Sequence, residues 1–160
     1  YDTRRVYYPH ELSDEQKASL ASGVTEIMAS TLRKQRSLVS VSVVSGDPRD
    51  WFIAGGLLQG TTAFLKAHIT AGTNSGEEKA KAVDQLYALL EGVLGDLVLA
   101  SYVVLQEVAA DDWGYAGQTQ AARKTAALAW SGLFHRYGGQ LVRGVVRTAG
   151  SLRYWATVAH

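Results

Sequence analysis

The chain has no cysteine, two prolines, one methionine and no acidic residue after Asp112. Lack of cysteine excludes disulfides, thiolate chemistry and thiolate-held metals together, which fits a cytoplasmic protein. No apolar run approaches the roughly 18 residues that a membrane-spanning helix needs, and no signal-peptide core is present. The missing acids divide the charge. Residues 1–112 hold all 15 acids and 10 of the 16 Lys and Arg, a net −5, whereas residues 113–160 hold six basic residues and stand at +6. A basic end can mark nucleic acid or an anionic membrane. Spread among Ala, Leu, Val and Trp, these charges read instead as a segment that docks on an acidic body, its own or a neighbour's.

A shift of 62 residues lays the chain onto itself: Ser13 falls on Ser75, Asp50-Trp51 on Asp112-Trp113, and Leu38 to Val44 on Ala100 to Gln106. Three features in one register indicate two copies of one unit. In the first copy, Val6-Tyr7-Tyr8 reads as a strand stopped by Pro9, which lacks an N–H. Ser13 with Gln16 forms a capping box, and Leu20, Val24, Ile27 and Met28 recur at helical spacing to about residue 34. Leu38 to Val44 reads as a strand, Gly46-Asp47-Pro48 as a turn, and Trp51-Phe52-Ile53 as a short extended piece. The second copy predicts a strand over Thr61 to Thr70 and a helix capped by Ser75 with Glu78. Gly95 ends that helix, and a fourth strand follows over Leu97 to Leu105.

This β-α-β-β-α-β order predicts an α+β fold of tandem β-α-β repeats, with four strands in one sheet and both helices on one face. Each strand–helix–strand crossover should be right-handed, so that its two strands run parallel. Val41, Val43 and Val103 are expected on the uncovered sheet face, buried there by other subunits. The predicted domains are residues 1–117, made of repeats 1–60 and 61–117, and an extension, 118–160, that is helical or interface-forming. Gln118 to Tyr137 has helical spacing, and Leu141 to Val158 reads as a further helix.

Trp51-Phe52-Ile53-Ala54-Gly55-Gly56, Thr61-Thr62-Ala63-Phe64 and Ala71-Gly72-Thr73-Asn74-Ser75 resemble the tautomerase superfamily, nearest its cis-3-chloroacrylic acid dehalogenase branch. Gln106-Glu107-Val108 through Gly117 is similar to the end of the repeat in 4-oxalocrotonate tautomerase relatives. The resemblance covers about residues 1–117 and implies a trimer whose sheets line a central barrel. It also implies that the usual chemical groups are replaced. Family activity rests on an amino-terminal proline whose ring nitrogen moves protons near neutral pH; Tyr1 stands at that position. Met28 matches a histidine of the dehalogenase branch, and Thr70 and Thr73 match two arginines that hold the substrate carboxylate. Tyr102 matches a family tyrosine. The family glutamate falls near Gly114 or Tyr115, with Glu107 and Asp112 as loose stand-ins. Losing both arginines removes contacts of about 1.5–3 kcal/mol each, so dehalogenation is not expected.

Tyr1 has two readings. As a true amino terminus it would offer an α-amine with an ordinary pKa of about 7.7–8.0, usable as a base or for a Schiff base. Behind a retained methionine it would offer only its ring. The four histidines lack metal-ligand spacing, so neither a metal nor another cofactor is expected. Lys66 and His68 share one side of the third strand. Gly55-Gly56 and Gly138-Gly139 lack the residues of a phosphate loop and read as turns. Arg136, Arg143, Arg147 and Arg153 lie among Trp130, Phe134, Tyr137, Tyr154 and Trp155, a mixture typical of interfaces. The expected protein is a homotrimer with weak, absent or altered tautomerase-type activity on a small 2-oxo or enol acid. The alternative is a non-catalytic trimeric binding or interaction module that uses its basic tail. Neither a membrane nor a nucleic acid is an expected partner.

Overall fold

Two serine hydroxyls start the two long helices in the same way. Ser13 Oγ accepts from the Gln16 N–H at 3.1 Å while the Gln16 side chain accepts from the Ser13 N–H at 3.0 Å, opening α1 (Asp14–Ser30). Ser75 and Glu78 repeat the exchange at the start of α2 (Gly76–Leu94). The structure, a computed structural model, describes the backbone of residues 3–8 and 11–137 and the side chains of residues 11–133. The expected helix over Leu141 to Val158 lies outside the described residues. The chain divides into two compact units, Tyr1–Val108 and Ala109–His160.

The first unit holds one sheet of β1 (Thr3–Tyr8), β2 (Ser40–Ser45), β5 (Phe64–Thr70) and β6 (Tyr102–Val108), in the order β2-β1-β5-β6. β1 runs parallel to β2, β5 parallel to β6, and β1 antiparallel to β5. Each parallel pair is joined through a helix, as a crossover requires. α1 packs on α2 and on β2, and α2 on β6, so both helices cover one face. Leu20, Val24 and Met28 from α1 meet Leu86 and Leu90 from α2 and Leu65, Ala67 and Ile69 from β5 in a single core. The 62-residue shift persists in three dimensions: it carries the first residue of α1 onto that of α2, Asp14 to Gly76, and the first of β2 onto that of β6, Ser40 to Tyr102.

Three expectations are corrected. The first concerns the sheet faces: Val41, Val43 and Val103 pack against the core under the helices. Leu65 is fully buried and lies opposite Val103, which fixes odd-numbered residues of β5 and β6 on the covered side. Because side chains alternate, the uncovered face takes Phe64, Lys66, His68, Tyr102 and Val104 instead.

The second concerns strand ends: Thr61 and Leu97 pair in an isolated parallel bridge, and the continuous ladder begins only at Phe64 and Tyr102. Side chains capture the preceding backbone: Thr62 Oγ1 donates to the Ala100 carbonyl at 2.9 Å, and Ser101 Oγ donates to that of Val98 at 2.8 Å. Such bonds compete with strand pairing.

The third concerns the end of α1, which stops near Thr31 rather than residue 34. Arg33 takes a left-handed φ of 56°, and the Lys34 N–H returns to the Met28 carbonyl at 2.9 Å, closing the last turn.

Two small hairpins complete the repeat. β3 (Phe52–Ile53) pairs with β4 (Gly56–Leu57) in the first unit, and β7 (Gly114–Tyr115) pairs with β8 (Gln118–Thr119) in the second. Their two-residue turns, Ala54-Gly55 and Ala116-Gly117, have positive φ at both positions, the geometry that matches strand twist in a tight hairpin. α3 (Gln120–Tyr137) follows β8, its first turn held by Thr119 Oγ1, which accepts from the Ala122 N–H at 3.0 Å. Among the described residues, no helix is long and apolar enough to cross a membrane.

Candidate functional site

The polar groups of the first unit gather where β5 turns into α2. Thr70 ends β5, and Thr73 Oγ1 donates back to its carbonyl at 2.6 Å. Lys34, just past α1, places its ammonium 2.7 Å from the same Thr73 hydroxyl. Arg33 reaches the Thr73 carbonyl at 3.3 Å and pairs with Glu78 at 3.0 Å. Asn74 ties the loop down, donating to the Leu32 carbonyl at 3.0 Å and to Glu78 at 2.8 Å. These bonds hold the Glu78 carboxyl at about 2, below its ordinary 4.5, with the Asn74 amide the largest cause and Arg33 next.

A second carboxylate closes the cluster. Glu107 on β6 lies on the covered side and pairs with Lys79 of α2 at 2.5 Å. Its pKa is lowered by that bond first, with smaller help from the Gly72 N–H and the Lys34 charge. Three cations, Arg33, Lys34 and Lys79, thus face two carboxylates, Glu78 and Glu107. These five groups sum to one net positive charge beside the Thr73 hydroxyl, a surface suited to a small anion. Sequence reasoning missed Lys34 and Arg33. They reach the loop only because the two helices pack side by side, a juxtaposition no local pattern reports.

The sequence-derived positions are widely spread. Met28 is fully buried in the core and faces neither the loop nor solvent. Thr70 and Thr73 come together, as described. Tyr102 is 59% exposed at the start of β6, opposite Phe64, while Thr70 lies opposite Val108. Six residues of strand at about 3.3 Å each put them roughly 20 Å apart. One chain therefore does not join Tyr102 to the threonine loop. Tyr1 lies outside the described residues. Because β1 is antiparallel to β5, it starts at the end of the sheet where Thr70 lies.

Tyr115 belongs to the second unit, its ring lying 3.6 Å beneath the Arg123 guanidinium, which also donates to the Tyr115 carbonyl at 2.8 Å. Tyr115 Oη and Trp113 Nε1 are buried with no hydrogen-bond partner among the described residues. Asp111, Asp112, Trp113 and Gln118 border a shallow dish of about 290 Å³ beside this hairpin. Asp112 is exposed there, while Glu107 of the first unit is bound to Lys79. Among the described residues, no group of three His, Asp or Glu could hold a metal ion.

A fused 4-OT described as an asymmetric trimer has a TM-score of 0.69 to this chain, at 24% identity over 75% of it and 97% of that chain. The fold is that of the fused 4-OT chain. A second fused 4-OT, described as a symmetric trimer, gives a TM-score of 0.69 at 19% identity over 75% of this chain and 97% of that one. N1, a member of the cis-3-chloroacrylic acid dehalogenase family, gives 0.67 at 20% identity over 73% of this chain and 82% of that one. In sequence, 44 residues are 41% identical to Tautomerase PptA of Klebsiella pneumoniae, which is 28% of this chain and 59% of that protein. The chain thus spans about three-fifths of the length of the curated relatives it matches. No protein-family model matches it. On the tautomerase fold, the threonine loop and the start of β1 share one end of the sheet.

Proposed function

We propose that this chain is a homotrimeric, cytoplasmic tautomerase-superfamily protein with weak, absent or altered tautomerase-type activity on small 2-oxo or enol acids. The carrying observation is Lys34 seated 2.7 Å from the Thr73 hydroxyl, in the loop where the family resemblance places two carboxylate-binding arginines. Lysine offers a point charge without the two-pronged grip of a guanidinium, so carboxylate binding is retained in weaker form. Ketonisation needs one proton taken from the enol oxygen and one delivered to carbon, and Tyr1 is the position from which the family supplies its amine. A primary α-amine there would be the base. With Met28 in the core, the loop lacks the histidine that the dehalogenase branch uses, and dehalogenation is not part of this reading. The trimeric fused 4-OT neighbours support the assembly.

The test follows loss of enol absorbance with native protein, Lys34→Ala, and a Tyr1→Pro variant with a free terminus. The expected result is slow ketonisation by the native chain, a rise in KM of about tenfold for Lys34→Ala, and a rate gain of about 100-fold or more for Tyr1→Pro. No gain from proline, or an unchanged KM without Lys34, would overturn the reading. A second reading, a non-catalytic trimeric interaction module using its basic C-terminal segment, is favoured by one observation: α3 exposes Leu128, Trp130 and Leu133.

A further inference from the structure

Two positively charged residues hold opposite positions in the first unit's sheet. Arg5 of β1 pairs with Lys66 of β5 on one side and with Ser42 of β2 on the other, so the three share one row across neighbouring strands. Directly opposite positions belong to one face of a sheet, and Lys66, partly exposed, is on the side the helices leave uncovered. Strands lie about 4.8 Å apart, so the row spans roughly 10 Å. Like charges at opposite positions weaken the pairing. No strand residue offsets them: the one acid in the four strands is Glu107, on the covered side and bound to Lys79. Among the described residues, the ion pairs use Arg33, Arg36, Arg49 and Lys79, and none uses Lys66.

Such a row calls for a compensating anion, and its chemistry selects the kind. Residues 113–160 hold no acidic residue, so that end of the chain has no side-chain carboxylate to supply. One carboxylate from another molecule would cancel only one of the two charges. A doubly charged oxyanion cancels both, and its several oxygens suit a guanidinium, an ammonium and a hydroxyl together. A long polyanion is disfavoured, because residues 1–112 carry a net −5, from 15 acids against 10 Lys and Arg, and repel it at a distance. We infer that Ser42, Arg5 and Lys66 bind a doubly charged oxyanion of the phosphate type. This position is separate from the threonine loop: Thr70 lies four residues further along β5, about 13 Å away. The inference does not rest on tautomerase-type chemistry.

Calorimetric titration of the full chain with inorganic phosphate, at an ionic strength held constant with sodium chloride, tests this. Native chain should give saturable binding, weakened about tenfold or more by Lys66→Gln and by Arg5→Gln but less than about threefold by Lys66→Arg. Lys34→Ala, at the threonine loop, should change it less than about twofold. No saturable binding, or a loss with Lys34→Ala as large as with Lys66→Gln, would overturn the proposal. So would a single-stranded oligonucleotide or anionic-lipid vesicles that depend on Lys66 and bind more tightly than phosphate. Urea unfolding gives a second measurement. In phosphate-free chloride Lys66→Gln should raise the midpoint, because it removes the repulsion, and added phosphate should raise that of native chain more than that of the variant. A lower midpoint for Lys66→Gln without phosphate would overturn the proposal as well. Ketonisation by Lys66→Gln should match that of native chain, so the failure of either reading is visible apart from the other.

Discussion

Arg33 and Glu78 form an ion pair at 3.0 Å that joins the residue closing α1 to the first turn of α2. The same Glu78 caps its own helix and receives the Asn74 amide. One carboxylate thus ties together both repeats and the loop between β5 and α2.

A pH dependence follows from the sign of that shift. Glu78 is held at about 2, below its ordinary 4.5. A carboxyl lowered on folding adds stability above its unfolded pKa, and this is lost as pH falls through the folded value. Native protein should therefore lose stability between about pH 4.5 and 2, and Glu78→Gln should show a shallower decline there and lower stability at pH 7. Urea unfolding at pH 7, 4 and 2.5 measures both; parallel curves would refute it.

Removing either N-cap hydroxyl should destabilise the first unit modestly. Ser13→Ala and Ser75→Ala each leave a helix-start N–H without its acceptor, at a cost of about 1 kcal/mol. Shifts in the urea midpoint with an unchanged slope would confirm that only stability is altered.

Met28→His would restore the residue type expected from the resemblance yet should give no catalytic gain. The site is fully buried, so the ring would enter an apolar core without a partner, costing about 2 kcal/mol or more. Lower thermal stability with unchanged ketonisation is the expected pair of results. A gain in rate would mean that the helix presents position 28 to substrate.

Two glycines should behave oppositely. A Cβ at Gly114 would lie 1.9 Å from the Gln118 carbonyl, so Gly114→Ala should break the β7–β8 hairpin. Hydrogen exchange at the Gln120 amide, bonded to the Trp113 carbonyl at 2.9 Å, should speed up while the amides of α2 stay protected. Gly92 lies inside α2 with open space around it, so Gly92→Ala should stabilise by about 0.5–1 kcal/mol in the same unfolding assay.

The helix starts were legible because a capping box is local: the serine and its partner lie three residues apart. Strand starts were less so. Thr62 and Ser101 bond to carbonyls of a segment that otherwise reads as strand, and only the folded chain brings Thr62 to Ala100. The sheet faces were misjudged for a related reason. Alternation gives two sets of residues but does not say which set the helices cover, and a slip of one residue exchanges them. Lys34 and Thr73 are 39 residues apart, so their contact left no local trace.

By itself the sequence determined the duplication, the α+β order of elements and the helix caps. Each is carried by short-range spacing or residue identity, which folding does not alter. Tertiary structure alone decided that Lys34 reaches the Thr73 hydroxyl, that Met28 is core, and that Tyr102 and Thr70 stand at opposite ends of the sheet. Those facts depend on strand register and on two helices packing side by side, relations between residues far apart along the chain.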